Sequence, residues 1–486
     1  MRIAFINVTP LLSTGRIMVT QCRQAMRRGH QALLCYGRDS APGDIPSLKI
    51  GSDSVIKYTS IKKEKNWQYD KRRKGKVNPS LKTWVAKREQ KTYLQSNKII
   101  KRMSATFQKI SRYSPHVFFH MAGTRLLDRT GFYSKNATQK FVKTLAVYKP
   151  DLIHLHNLHG YYLHIETLFN YIKENDIPVV WTLHDCWAYT GHCAYYTGVK
   201  NAVPIKKSRT KTQNNCERWL IGCGQCSQMR HYPSSIFVDQ SAKNWVDKRI
   251  IFNNVPHMVI TTPSIWLKEE VKRSFLQDYP IYAMPNGIDL SEFHPCNDER
   301  YLHDVVMHHG LNNINSEYIL LSVAAVWDER KGLHALFDLA ALLGKDYTVV
   351  LVGLDDEQLN TMPDGNVIGL PRTRNVKELC ALYTAANLYV TLSEAETMGM
   401  TLVEALSCGT QALCYDVTAM PEIVDDEVGA VVEGGNLYAA ADAARELCKN
   451  PKSAQACMQR AKRYDSEGRT YKYIELYEAM YNHMKD

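Results

Sequence analysis

The chain has 486 residues, 45% of them apolar and 23% charged, with a formal net charge of +12. That length exceeds one ordinary core and predicts two domains. No apolar run is long enough to cross a bilayer, and the apolar start MRIAFINVTPLL lacks a signal-peptide cleavage region, so the expectation is a cytoplasmic protein.

In chain order, the start reads as a core strand, RIAFINV, then a turn and a helix over about 16–28 that stops at Gly29. The β-rich runs QALLCYG, DLIHLHN, VVWTLHD and MVITT complete the first half. Between the second and third strands lies a basic segment, residues 57–112. It holds 18 Lys or Arg against Glu64, Asp70 and Glu89, a local excess of +15 that leaves the rest of the chain near −3. Trp67, Tyr69, Trp84, Tyr93 and Phe107 are interleaved with those charges. An insert at 186–232 carries Cys193, Cys216, Cys223 and Cys226. Most of the other cysteines, such as Cys35, Cys380, Cys408 and Cys414, sit singly in apolar runs, as free thiols do in a reducing compartment.

Structure breaks at MPNGIDLSEFHPC, residues 284–296, and the pattern starts again. YILLSVAAV, a helix after Gly332, YTVVLVG, NVIGL, VKELCALYTAA, LYVTLS and TQALCYD follow in order. Strands alternating with helices predict an α/β fold of two doubly wound Rossmann-like domains facing across a cleft. The expected divisions are 1–290, 296–467 and a helix at 468–486, YKYIELYEAMYNHM, crossing back to the first domain.

The most informative segment is SEAETMGMTLVEALSCGT, residues 393–410. Glu396 falls in the loop at the carboxyl end of LYVTLS, and Glu404 about one turn into a helix read over 401–408 and closed by Gly409. Backbone N–H groups around Gly399, Met400 and Thr401, at the helix start, favour phosphate oxygens, while carboxylates suit sugar hydroxyls. Together they predict a nucleotide-sugar site, placed beyond the carboxyl ends of the strands where open α/β sheets bind ligands.

With TG at 14–15, TLHD at 182–185, MPNGID at 284–289, RKG at 330–332 and the Glu-x(7)-Glu segment in this order, the chain resembles the retaining glycosyltransferases of family 4 over nearly its whole length. The resemblance implies the B-type double-Rossmann architecture and a metal-independent transfer from a nucleotide-diphosphate sugar, with no cofactor required for catalysis. It implies that Glu396 contacts the transferred sugar, that Gly399, Met400 and Thr401 offer N–H groups to the diphosphate, and that Glu404 accepts from the ribose diol. Lys331, with Arg330, would neutralise the leaving diphosphate, Gly15 would let a first-domain loop approach it, and His184 would reach toward the reaction centre. Members of the family usually carry an arginine five residues before the lysine, after a glycine; here Ala325 and Val326 stand in those places.

No Asp-x-Asp motif ends a strand, and Asp355 and Asp356 read as an exposed loop. His154 and His156 alternate onto one face and, with His159, read as structural. The four insert cysteines, Cys193, Cys216, Cys223 and Cys226, end in C-x-x-C and can close a tetrahedral structural zinc site; unligated thiols, or a disulfide that a reducing compartment disfavours, are the other readings. A similar cysteine-bearing insert follows TLHD in a bacterial subset of the family. The basic segment fits a solvated face, a nucleic acid or an anionic bilayer surface. No nucleic-acid fold accompanies it, so nucleic acid is not expected, and a lipid-linked glycan acceptor at the inner face of the plasma membrane favours the bilayer. The function expected is glycosyl transfer to a glycan in bacterial capsule, exopolysaccharide or O-antigen synthesis. A catalytically inactive scaffold in a polysaccharide assembly complex is the alternative.

Overall fold

The computed structural model describes residues 1–51, 115–197, 215–313 and 315–485. The basic segment 57–112 and part of the cysteine-bearing insert lie outside the described residues.

The first sheet has seven strands: β1 (Arg2–Asn7), β2 (Gln31–Tyr36), β3 (Ser47–Lys49), β4 (Leu152–Leu155), β5 (Val179–Thr182), β6 (Met258–Thr262) and β7 (Ile281–Ala283). The second has six: β8 (Tyr318–Val323), β9 (Tyr347–Val352), β10 (Val367–Leu370), β11 (Leu388–Thr391), β12 (Ala412–Tyr415) and β13 (Gly429–Val432). Their orders, β3-β2-β1-β4-β5-β6-β7 and β10-β9-β8-β11-β12-β13, are the same doubly wound pattern. All pairings between these strands are parallel. The central strands read as unbroken apolar runs because helices cover both faces; Ile3 to Ile6 and Val349 to Leu351 are fully buried. The strand order reverses between β1 and β4 and between β8 and β11, so each sheet opens a crevice at that point. Gly15 follows β1 and His184 follows β5, while Arg330 and Lys331 follow β8 and Glu396 and Glu404 follow β11.

The helix after β1 spans Leu12–Arg27, four residues earlier than the sequence pattern suggests. Thr9 Oγ1 accepts from the Leu11 N–H at 3.0 Å and turns the chain at once into the helix. Gly15 therefore lies inside the first helical turns and not in a loop. A Cβ there would come within 2.5 Å of the Thr9 and Pro10 backbone, so the glycine is needed for close packing of the helix on the strand exit. Asp355 and Asp356 also differ from the loop reading: Asp355 caps a short helix, Asp356–Leu359, with a capping box to Gln358.

The C-terminal helix, Ser466–His483, packs on the first domain. Tyr473, Ile474 and Tyr477 are buried with Ile3, Phe5, Met18 and Leu34. Tyr477 Oη meets His154 Nδ1 at 2.6 Å, and Tyr473 Oη meets Thr182 Oγ1 at 3.2 Å, so the aromatic face also satisfies buried polar groups. Where the chain passes between domains, Ile288 forms an isolated parallel bridge with Asp465. Gly287 is required there, since a Cβ would sit 2.4 Å from Ser466 Cα. Among the described residues no helix is long and apolar enough to cross a membrane.

Candidate functional site

Two segments of the second domain build the core of the site. After β8, Asp328 accepts from the Lys331 N–H at 3.0 Å and winds Glu329–Lys331 into a 3-10 turn. Gly332 ends it at φ +73°, and a Cβ at that position would meet the Leu392 carbonyl oxygen at 2.4 Å. The RKG turn thus lies backbone to backbone against the loop after β11, tied further by Glu394 N–H to Arg330 O at 2.8 Å.

This contact sends both cations to one acid. Lys331 Nζ pairs with Glu396 Oε1, and Arg330 Nη1 lies 3.7 Å from the same oxygen. Successive residues on a strand or a regular helix diverge; on this tight turn they converge. Arg330 also donates to Ala395 O at 2.6 Å, and its guanidinium lies 4.4 Å from the centre of the Tyr195 ring, contributed by the first domain. The Glu396 N–H donates to Thr418 Oγ1 at 2.9 Å. Burial raises the pKa of the Glu396 carboxyl, but Lys331 and then Arg330 outweigh it and hold the group below the ordinary range. It is a carboxylate at neutral pH.

Gly399, at φ +86°, is the N-cap of the helix Met400–Ser407. By helix geometry the N–H groups of Met400 and Thr401 have no intrahelical acceptor and carry the positive end of the helix dipole. Glu404, one turn in, accepts from Tyr383 Oη at 3.0 Å. Burial pushes its pKa up to about 7, against the partial opposition of Tyr383, Arg16 and Lys331. The two acids therefore differ in state as well as place: one is ion-paired and charged, the other is poised.

Across the cleft, His184 follows β5. Its carbonyl accepts from Thr397 Oγ1 at 2.8 Å, which places it one residue from Glu396 in the opposing loop. Its Nε2 lies 3.0 Å from His156 Nδ1, and the two rings stack at 11°. Burial lowers the His184 pKa to about 4, so the ring is neutral at pH 7. Asp185 Oδ2 bonds His159 Nε2 at 2.7 Å, and its Oδ1 accepts from the Trp187 N–H at 2.9 Å. His154 is held by Tyr477 and by Thr182, at 2.7 Å, in keeping with a structural role.

Arg16, on the first-domain helix, acts electrostatically on Glu404 of the second domain; Gly15 beside it supplies packing and no open loop. Arg16 stands next to the TG pair and was within reach of the sequence pattern. Tyr195, Thr418 and Tyr383 carry no such signal, because each reaches the site from a distant element.

The insert thiols are neighbours. Burial raises the pKa of Cys193 well above the thiol range, and pushes Cys223 and Cys226 up to about 12, with mutual repulsion adding to each. The Gly191 N–H donates to Cys223 Sγ at 3.1 Å. Cys216 N–H donates to Tyr196 O. Among the described residues, the metal-type donor atoms gathered within 4.8 Å of one another are those of His308, His309 and Glu378. The four sulfurs are not in that group. The Glu378 carboxylate there is already bonded to the His309 ring and to both the backbone N–H and the guanidinium of Arg374, which explains its burial without an ion.

Residues 308–464 match the family model described as glycosyl transferases group 1. An Escherichia coli (strain K12) protein whose name assigns it to colanic acid biosynthesis as a glycosyl transferase, WcaC, is 26% identical over 156 residues, 31% of this chain and 34% of that protein. The chain spans about a third of the length of the first curated relatives it matches. Among solved structures, sucrose-phosphate synthase (tll1590) from Thermosynechococcus elongatus superposes with a TM-score of 0.60 at 14% identity, covering 99% of both chains. Anabaena Alr3699/HepE, solved in complex with UDP-glucose, gives 0.56 at 13% identity, covering 99% of this chain and 100% of that one. At such identities the likeness establishes the fold, the B-type arrangement of two Rossmann-like domains.

Proposed function

We propose that the chain is a retaining, metal-independent glycosyltransferase. It moves a sugar from a nucleotide-diphosphate donor to a glycan or lipid-linked glycan in the synthesis of a bacterial surface polysaccharide. The observation that carries the reading is the convergence of Lys331 and Arg330 on Glu396 beside the start of the helix Met400–Ser407. The match of residues 308–464, the colanic acid role in the name of WcaC and the UDP-glucose bound to HepE support it.

In this reading the bond between the anomeric carbon and the diphosphate oxygen breaks, and the electron pair stays on the phosphate. Lys331, Arg330 and the N–H groups of Gly399, Met400 and Thr401 are positioned to stabilise that charge, and fixed donors of this kind are commonly the largest catalytic contribution. The acceptor oxygen bonds to the same face of the sugar carbon and passes its proton to the departing phosphate oxygen, so no protein base is consumed. Glu396, already ionised, orients the sugar hydroxyls and balances the positive ring. Glu404 takes the ribose diol. His184, neutral at pH 7, lines the first-domain side.

A thermal-shift panel of nucleotide sugars on the wild type and on Glu404→Ala tests this. A donor at about 100 times its Kd should stabilise the wild type by roughly 2.7 kcal/mol. The substitution should abolish most of that shift. If no nucleotide sugar raises the melting temperature of the wild type, or if Glu404→Ala leaves the shift intact, the reading fails.

A further inference from the structure

The cation site is incomplete within its own domain. Lys331 is tied to the Glu329–Lys331 turn and to Glu396, whereas the Arg330 guanidinium makes one short contact in its own domain, to Ala395 O at 2.6 Å, and two longer ones, to Glu396 at 3.7 Å and Asp328 at 3.9 Å. The Tyr195 ring, from the opposite domain, lies against the Arg330 guanidinium.

Tyr195 is set rigidly. The carbonyl of Ala194 before it accepts from the Cys186 N–H at 2.8 Å, and the carbonyl of Tyr196 after it accepts from the Cys216 N–H at 3.0 Å. The Tyr196 ring is fully buried against Trp219 at 5.0 Å and Tyr189 at 6.3 Å, and its hydroxyl donates to Glu270. Tyr195 therefore alternates out of a fixed backbone, half-buried, between two residues that point into the insert core. Its own pKa is raised, first by burial, while Arg330 opposes that shift.

We propose that Tyr195 is a positioning residue for Arg330: its ring holds the guanidinium toward the donor diphosphate and so makes the folding of the cysteine-bearing insert a condition for full transfer activity. This deepens the glycosyltransferase reading and rests on it. An aromatic ring under the face of a guanidinium restrains it without taking up any of its N–H donors, which lie at the edges. The ring thus restrains the cation without neutralising it.

The test is a double-mutant cycle on the full chain, with Tyr195→Ala, Tyr195→Phe, Arg330→Ala and Tyr195→Ala/Arg330→Ala. The readouts are kcat and KM for a donor that the wild type turns over, together with the melting temperature. The expected result is a loss of about 3- to 30-fold in kcat/KM for Tyr195→Ala, the range a desolvated cation–π contact spans. Tyr195→Phe, which keeps the ring, should restore most of it. The double variant should be no worse than Arg330→Ala alone. A merely structural tyrosine would instead lower the melting temperature and add its loss to that of Arg330→Ala; additivity, or a Tyr195→Ala variant with wild-type kinetics, overturns the inference. Absence of turnover in the wild type with any nucleotide sugar overturns the transfer reading itself and the inference with it. Wild-type turnover with an additive cycle removes the inference alone.

Discussion

Glu404 gives the site a pH dependence whose sign differs between the free and the donor-bound protein. Its pKa is about 7 in the fold, because burial disfavours the charge, against about 4.3 in an unfolded chain. The folded state thus holds the proton more tightly, and the stability this group contributes is fully present below the unfolded value and lost as pH rises through about 7. A ribose diol donates to a carboxylate, so donor binding selects the ionised form. Donor affinity should therefore be about tenfold lower at pH 6 than at pH 8, while the donor-free protein loses stability over the same interval. Melting curves of wild type and Glu404→Gln from pH 5 to 8, with and without donor, check both slopes; both should flatten in the variant. The two acids themselves were legible from their spacing around a glycine and a helix start. That they would differ in charge was not, since it depends on the burial of Glu404 and on two cations that reach Glu396 from another part of the chain.

At the level of elements, the site depends on one close crossing of loops. Gly332, at φ +73° with the Leu392 carbonyl at 2.4 Å from where a Cβ would lie, lets the RKG turn rest on the strand exit that carries Glu396. Gly332→Ala should cost roughly 2 kcal/mol or more in denaturant unfolding and separate Lys331 and Arg330 from Glu396, with activity falling further than stability. A variant of wild-type stability and activity would contradict the crossing. The strands and their parallel order could be read from alternating apolar runs and helical patterns, because sheets covered on both faces leave that trace. The start of the first helix could not. Ser13, Thr14 and Gly15 are weak helix formers, and tertiary packing of the glycine on the Thr9–Pro10 backbone decides it. Nor could the joint aim of Arg330 and Lys331, which a 3-10 turn permits and a regular element would not.

Over the whole molecule, contacts of mixed chemistry bridge the cleft, among them Thr397 to the His184 carbonyl and Arg330 to Tyr195. The Glu422 carboxylate of the second domain accepts from the N–H groups of Ile265 and Trp266, at 2.9 and 2.7 Å, at the start of the first-domain helix Ile265–Lys272. A carboxylate at a helix N-terminus is favoured by the dipole as well as by the hydrogen bonds. Glu422→Ala should remove about 1–3 kcal/mol of interdomain attachment and enlarge the radius of gyration measured by small-angle scattering in the absence of donor; an unchanged radius would show that the other bridges suffice. The helix Ser466–His483 has a consequence for the order in which the chain is made. Tyr473 and Tyr477 complete the hydrogen bonds of Thr182 and His154 inside the first sheet, although 291 and 323 residues separate the two pairs in the chain. On the ribosome, where chains grow at about 5–20 residues per second, the first domain must wait tens of seconds for its last helix. The second domain, whose strands are contiguous, can close before it, so the domain begun first is finished last.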